Sequence, residues 1–327
     1  MLFRSDFDHY DWAAIKIGEK SISPLYSREV AEVLEEAGMQ HCCVQIEWSF
    51  GDKGEKEHRL SDPNRIATNT LGEFLVADRD NTIKVFDSCG EFTYKIYPQV
   101  DNTVGFFYFA DIATDVKNNT YILVSLYGPG IDSREVLVFS KTEMCKKFPV
   151  KDKSFILTVS HDRVFVASCD VIVVYQLNGT PICSFGEGTL SDICDIAAGS
   201  DGQIFVLNFK WNPEEKIAYV FTADGHQQNK FRVESKRDDY FGLAGYPSGE
   251  HIVFAGVERK TRRLKVAMYR KDGVFNRSVT LAQRVFEDNR LIFIFGLAIA
   301  VTNEGRVAIP LRDQNKVIVR PMKPCCG

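Results

Sequence analysis

A repeated unit rich in β-strand formers limits the folds open to this 327-residue chain more than any other feature of its sequence. In each copy, a first strand containing a small residue leads through a Gly, Asn or Asp turn into two runs of alternating apolar residues. The small anchoring residues recur roughly every 40–50 positions. They are Ala67, Ala113, Val159, Ala197, Ala244 and Ala298. Four strands per unit at this period are typical of propeller blades, so six copies predict six blades.

The start of the chain is predicted to close the ring. The sixth copy supplies three strands, the last of them near residues 316–320. Residues 41–48 alternate apolar and polar side chains and lead directly into the first copy, as a missing fourth strand should. Pairing of residues near 43–50 with residues 316–320 would remove an exposed sheet edge. The sequence therefore predicts an all-β, six-bladed β-propeller over residues 41–327, with an N-terminal strand that closes the last blade.

Residues 1–40 do not follow the repeat and are predicted to form an N-terminal extension with a short helix. Ser27 could cap this helix over residues 28–37, and Gly38 follows its end. The extension could pack on the propeller as a cap or belong to a linker from an upstream region.

Charge balance and apolar content exclude several classes of protein. Hydrophobic residues make up 45% of the chain, and 40 basic residues stand against 44 acidic ones. This composition excludes a disordered chain and disfavours nucleic-acid binding over the whole surface. No apolar run reaches the roughly 18 residues that a membrane span needs, and the first residues lack the pattern of a secretory signal. We therefore expect a cytoplasmic protein with no membrane contact.

The nine cysteines and six histidines lack the spacing of a metal site, so we predict no metal and no cofactor. One hypothesis follows from ring closure: Cys42 and Cys43 would come near Cys325 and Cys326 where the first and last strands meet. These thiols could form a zinc or redox clasp if one Cα–Cα distance is under about 7 Å. The leading expectation is that these cysteines are buried or remain reduced, unpaired thiols, and the clasp is the alternative.

The first copy resembles an NHL repeat. Its residues 72–78 (GEFLVAD) and 81–87 (NTIKVFD), followed by Gly90, match the family pattern closely. Later copies keep the glycine and the strand pattern but replace the aspartate that stands at position 78. The replacements are Ser125, Ser168, Asn208, Gly256 and Pro310. The resemblance spans about residues 41–327, and WD-type propellers fit less well because Trp-Asp strand ends are missing.

What the resemblance implies is a non-catalytic recognition module. In the family, such propellers often form the C-terminal part of tripartite-motif (TRIM-NHL) ubiquitin ligases, where they recognise protein targets or RNA. The RING, B-boxes and coiled coil of those ligases are missing from this chain. We therefore expect no ligase activity of its own, and a ubiquitin-ligase region would lie upstream or in another chain.

Candidate ligand-binding residues fall on one face of the predicted propeller. The loops between the second and third strands of each blade share this face, here named the loop face, with the loops between blades. Its bases and aromatics could stack bases, pair with phosphates or anchor a protein. They are Arg79, Tyr127, Arg134, Lys210, Trp211, Arg237, Tyr240, Arg259, Lys260, Arg262, Arg263 and Arg312. Phe106 and Tyr108 are expected on the same face, and acids such as Asp80 and Asp132 make its charge mixed.

Three functions stay open on the sequence. The leading one is binding of a protein or peptide on the loop face, and the second is binding of single-stranded RNA on that face. The third is a metal-dependent propeller hydrolase or lyase, with a metal held in the central channel. Residues near suitable positions for it are Asn64, Asp111, Asp195 and Asn289. No histidine joins them and no Gly-x-Ser-x-Gly motif occurs, so we expect no enzyme activity.

Overall fold

Six four-stranded antiparallel sheets make up the part of the chain that the computed structural model describes. This part comprises residues 47–52, 55–100, 105–211, 214–233, 238–258, 260–284 and 297–322. Within these residues, the helical structure is limited to one 3₁₀ turn, Arg312–Gln314. The predicted all-β, six-bladed propeller is confirmed.

The sheets follow one another along the chain as blades 1–6. The first strand of the chain, β1, is Trp48–Phe50. Blade 1 contains β2 (Arg65–Thr68), β3 (Phe74–Ala77), β4 (Ile83–Phe86) and β5 (Phe92–Ile96). Blade 2 contains β6 (Phe106–Thr114), β7 (Asn119–Gly128), β8 (Ile131–Ser140) and β9 (Glu143–Pro149). Blade 3 contains β10 (Ile156–Ser160), β11 (Arg163–Ala167), β12 (Ile172–Gln176) and β13 (Pro181–Phe185).

Blades 4 to 6 repeat this order. Blade 4 contains β14 (Asp192–Ala198), β15 (Ile204–Trp211), β16 (Glu214–Phe221) and β17 (Gln227–Arg232). Blade 5 contains β18 (Asp238–Gly245), β19 (His251–Glu258), β20 (Arg263–Arg270) and β21 (Phe275–Arg284). Blade 6 contains β22 (Ala300–Val301), β23 (Arg306–Leu311) and β24 (Lys316–Pro321), with β1 as its outermost strand.

The first strands of successive blades surround a central channel and are joined by hydrogen bonds that threonines make. The Thr68 hydroxyl donates to the Val301 carbonyl at 3.0 Å, and the Thr114 hydroxyl donates to the Thr68 carbonyl at 2.7 Å. The backbone N–H of Ala198 donates to the Thr158 hydroxyl at 3.1 Å. A threonine on the first strand therefore links neighbouring blades at several points of the ring.

The predicted ring closure is confirmed. Strand β1 pairs with β24, with Trp48 opposite Val319 and Phe50 opposite Val317. The described strand lies at the end of the predicted segment, and residues 41–46 lie outside the described residues. Closure also buries a seam, because the Phe50 ring lies 5.1 Å from the Phe74 ring and the two residues belong to different blades.

Apolar side chains between neighbouring blades hold the ring together. In the described part of the chain, each of the six buried clusters draws its members from two adjacent blades. Because each sheet is covered on both faces, its inner strands are apolar almost throughout, as at β3 and β11. The ring therefore has no single core but one core per blade interface.

Several predictions concern residues that are not described. The N-terminal extension over residues 1–40 and its helix over 28–37 lie outside the described residues, as do Cys42, Cys43, Cys325 and Cys326. In the described residues, no helix has the length and apolar content that a membrane span requires.

Candidate functional site

Blade 2 is longer than blade 3, and this difference exposes part of its surface on the loop face. Strands β7 and β8 have 10 residues each, whereas β10, β11 and β12 have 5 each. The lower part of blade 2 packs on blade 3, with Tyr121, Leu123 and Val136 against Leu157 and Val159. Side chains alternate along a strand. Residues on the same side of β7 and β8 but nearer to the turn that joins these two strands therefore extend past the ends of the blade 3 strands.

Two rows of side chains lie across this exposed part of blade 2. The outer row is Phe106, Tyr127 and Asp132, and the inner row is Tyr108, Ser125 and Arg134. Such cross-strand neighbours interact directly because their Cβ atoms lie close together. We name Phe106, Tyr108, Tyr127, Asp132 and Arg134 the aromatic–arginine cluster.

Three aromatic rings of the cluster are stacked. The Tyr127 ring lies 5.1 Å from the Phe106 ring at an interplanar angle of 16°, and 5.6 Å from the Tyr108 ring at 18°. The hydroxyls of Tyr108 and Tyr127 are 3.1 Å apart and hydrogen-bonded. Phe106 is 63% exposed and Tyr108 is 41% exposed. The cluster therefore presents large aromatic surface that is already ordered before any ligand binds.

Arg134 fixes the position of Tyr127. Its Nη2 donates to the Tyr127 hydroxyl at 2.7 Å, and its Nη1 donates to Asp132 Oδ1 at 2.8 Å and to the Ser133 carbonyl at 2.9 Å. The guanidinium carbon lies 5.0 Å from the Tyr127 ring centre. Burial is the largest single effect and disfavours the charge, but the hydrogen bond to Asp132 together with the charges of Tyr127, Tyr108 and Asp132 outweighs burial and raises the pKa of Arg134. The hydrogen bond with Tyr108, and then burial, raise the pKa of Tyr127.

Two other predicted ligand residues have structural roles. Arg312 donates to both carboxylate oxygens of Asp62, at 2.7 and 2.8 Å, and so ties blade 6 to the loop that leads into blade 1. This hydrogen bonding raises the pKa of Arg312. Tyr240 was expected in an inter-blade loop, but β18 already begins at Asp238 and places Tyr240 in the core between blades 4 and 5. At 2% exposure, Tyr240 offers no ligand surface.

The remaining residues predicted to bind a ligand differ in exposure. Arg79, Lys260 and Arg263 are exposed, and Lys210 and Arg262 are half-buried. Arg237, Arg259 and the side chain of Trp211 lie outside the described residues. Of the predicted set, Tyr127 and Arg134 are brought into direct contact.

The central channel contains two half-buried carboxylates and an arginine. Asp111 Oδ2 accepts the N–H of Leu157 at 2.8 Å, and Asp195 Oδ2 accepts the N–H of Leu243 at 2.7 Å. Each aspartate thus joins its blade to the next one. Arg65 Nε lies 3.8 Å from Asp111 Oδ1. Burial raises the pKa of Asp111 to about 6 despite this cation, and burial followed by the charge of Asp111 raises the pKa of Asp195 well above its ordinary value.

These contacts show that Asp111 and Asp195 connect neighbouring blades. The channel cavity has a volume of about 230 Å³. Its carboxylates are occupied by backbone N–H groups, and Arg65 supplies the opposite charge. No group of three His, Cys, Asp or Glu residues suited to a metal occurs among the described residues. Asn289 lies outside them.

The aspartate at position 78, which the later copies replace, holds a loop. Asp78 accepts the N–H groups of Ser61 and Asp62 at 2.9 Å, and both residues lie in the loop that precedes blade 1. Lys84 Nζ lies 2.5 Å from Asp78 Oδ2. In blade 4, Asn208 accepts the N–H of Ser191 at 2.9 Å in the same way. Blade 4 therefore keeps an acceptor that holds the preceding loop, with an amide in place of the carboxylate.

Comparisons with known proteins identify the fold only. No family model matches the chain, and no curated protein sequence matches it. A chain of hydrazine synthase from Kuenenia stuttgartiensis is similar in structure, with a TM-score of 0.55 and 12% identity over 80% of this chain and 76% of that one. A chain of the mitotic checkpoint complex is similar with a TM-score of 0.52 and 11% identity, over 80% of this chain and 91% of that one. Both similarities concern the propeller fold.

Proposed function

We propose that this propeller is a non-catalytic recognition module that binds a protein or peptide on its loop face through the aromatic–arginine cluster. The observation that carries the proposal is the exposed stack of Phe106 and Tyr108 around a tyrosine that Arg134 holds in place. A few residues carry most of the binding energy at a protein interface, and these residues are enriched in tyrosine, tryptophan and arginine. Side chains that are already ordered lose less conformational entropy when a partner binds.

The pairing of basic residues supports a protein ligand over RNA. Arg134 is bound to Asp132 and Arg312 to Asp62, so two of the predicted phosphate-binding arginines already have carboxylate partners. A groove for single-stranded RNA needs bases that remain open to the phosphates beside the aromatic rings. RNA stays the second candidate because exposed rings can also stack nucleobases.

The NHL-like pattern of the first blade supports a more specific role. We include in the proposal that the bound protein is a target for ubiquitin transfer, which a ligase region upstream or in another chain would carry out.

Selection of peptides on paired variants tests the proposed function. A displayed library of random linear peptides is selected on the wild-type propeller, and the affinity of enriched peptides is then measured for two double variants. The first, Phe106→Ser with Tyr108→Ser, removes the exposed rings. The control, Leu71→Ser with Val116→Ser, removes similarly exposed apolar side chains from turns on the opposite face.

The proposal predicts that the first variant loses about 2 kcal/mol of binding, or roughly thirtyfold in affinity, because hot-spot aromatics are removed. The control variant should bind as the wild type does. Equal binding by both variants would contradict the proposal. A mobility shift with a random single-stranded RNA pool that weakens steeply as salt rises, together with no enriched peptide, would favour the RNA alternative.

A further inference from the structure

We propose that the aromatic–arginine cluster receives a basic side chain of its ligand, specifically an arginine, and this inference rests on the proposed function. The ligand is thus a peptide segment with an arginine that stacks on the exposed rings and pairs with Asp132. Three properties of the cluster lead to this choice. Its exposed groups are electron-rich, the guanidinium of Arg134 already has hydrogen-bond partners, and its aromatic rings are nearly parallel.

The groups that the cluster exposes are electron-rich. The faces of Phe106 and Tyr108 carry the negative side of the aromatic quadrupole. Asp132 is 73% exposed on its side chain and lies directly across the sheet from Tyr127. Its Oδ1 accepts from Arg134, while the carboxylate as a whole remains open to solvent. A ligand that approaches this surface therefore meets two aromatic rings and a carboxylate.

The cation of the cluster is largely withdrawn from the surface. The Arg134 side chain is 10% exposed, and its guanidinium already donates to Tyr127, Asp132 and the Ser133 carbonyl. It has few N–H groups left for an anionic ligand. A phosphate or carboxylate would have to approach past Asp132, whereas a cation would be attracted by it. Charge complementarity therefore favours a basic ligand group over an acidic one.

The geometry favours arginine over lysine. The rings are nearly parallel, with interplanar angles of 16° and 18°, and so present flat surface on which a planar group can stack. A guanidinium is planar, stacks on aromatic faces and donates to a carboxylate in a fork. An ammonium is a compact and strongly hydrated charge that gains less from a flat surface.

Replacement of single charges in the selected ligand tests the inference. Enriched peptides from the library are synthesised with each arginine changed to citrulline, which keeps the shape and removes the charge, or to lysine. Affinities are measured for the wild type and for Asp132→Asn. The control is Asp162→Asn, which removes a comparably exposed carboxylate beside an arginine on the opposite face.

The expected result is that one citrulline replacement weakens binding about tenfold, the summed effect of a cation–π contact and an exposed ion pair. Lysine at that position should weaken it less, and Asp132→Asn should lower the affinity for the arginine peptide but not for the citrulline peptide. Asp162→Asn should change neither affinity. Peptides that need Phe106 and Tyr108 but contain no required arginine would overturn the inference while leaving the proposed function intact. Peptides that bind independently of those two rings would overturn both.

Discussion

At the residue scale, several charged side chains in the described part of this propeller hold backbone in place. Asp78 accepts the N–H groups of Ser61 and Asp62, and Lys84 donates to the Arg59 carbonyl. The Asp78 and Lys84 side chains are 0% and 2% exposed, and Lys84 Nζ lies 2.5 Å from Asp78 Oδ2. Asp80 also pairs with Lys84, at 3.0 Å. Buried charges of this kind are tolerated only when every partner is satisfied. A base or acid in a propeller sequence is therefore a poor indicator of ligand binding unless its exposure is known.

Substitution of Asp78 should separate its charge from its role as acceptor. Asp78→Ala leaves Lys84 and two N–H groups short of a partner, so we expect a loss of about 3 kcal/mol in the free energy of unfolding. Asp78→Asn should cost clearly less, because in blade 4 the amide oxygen of Asn208 accepts the N–H of Ser191 in the corresponding loop. Urea denaturation of both variants measures the difference. Equal losses would show that the acceptor is not what matters.

The half-buried carboxylate of Asp111 should make stability depend on pH. Its pKa is raised to about 6 in the folded protein, from an ordinary value of 3.8. The folded state therefore holds this proton more tightly, so the contribution is fully present below about pH 4 and is lost as pH rises through 6. This rise in the pKa, from 3.8 to about 6, corresponds to about 3 kcal/mol.

This contribution is measured against Asp111→Asn, which cannot titrate. The unfolding free energy of the wild type minus that of the variant should fall by up to about 3 kcal/mol between pH 4 and pH 7. A difference that stays constant over this range, or rises with pH, would contradict the assignment.

At the element scale, a glycine in the turn between the third and fourth strands packs against an aromatic ring of the preceding blade. A Cβ at Gly225 would lie 2.6 Å from Phe185, which is too close for any real contact. The same arrangement recurs in other blades. The pairs are Gly90 with Phe50, Gly179 with Phe148, and Gly273 with Phe231. This contact joins the outer strands of neighbouring blades, where the inner hydrogen bonds do not reach.

Gly225→Ala should destabilise the protein through both backbone strain and overpacking. The residue has φ of +83°, and the new methyl group would meet the Phe185 side chain. We expect a loss of about 2–4 kcal/mol, of which roughly 1 kcal/mol is the backbone term. Gly188→Ala is the control, since Gly188 has φ of +73° with open space around it. Thermal unfolding of both variants gives the difference, and similar losses would refute a role for the ring contact.

Strand positions could be predicted from the sequence better than the site could. Alternation and turn glycines located the strands of the first copy closely, because both signals are local. Tyr240 was misplaced because the sequence gives no sharp start for β18. The exposed stack of Phe106 on Tyr127 forms because the long strands of blade 2 extend beyond the shorter strands of blade 3. Such a difference between blades is a tertiary property that local patterns do not contain.

At the scale of the whole molecule, closure by β1 makes the last and first blades depend on one another. Trp48 and Phe50 belong to blade 6 by hydrogen bonding but pack against Phe74 and Phe86 of blade 1. Because β1 contacts both blades, loss of its packing should destabilise blade 6 and blade 1 together.

Phe50→Ala tests the seam. The ring is 4.7 Å from that of Phe86 and is buried, so truncation should cost about 3–5 kcal/mol in unfolding free energy. Hydrogen exchange should speed up in β24 and in blade 1 before it does in blade 3. Tyr97→Ala removes an exposed ring and should leave stability near that of the wild type. Uniform acceleration over all blades would indicate that the ring unfolds as one unit instead.

The central claim is that ligands contact the loop face of blade 2, and a hydrogen-exchange footprint tests it most directly. Exchange is measured on the wild-type propeller with and without a peptide selected on it. We predict protection in residues 105–109 and 125–134, which carry the aromatic–arginine cluster, and no change in the opposite turns at residues 69–72 and 115–118. Protection of those opposite turns, with the blade 2 segments unchanged, would contradict the claim.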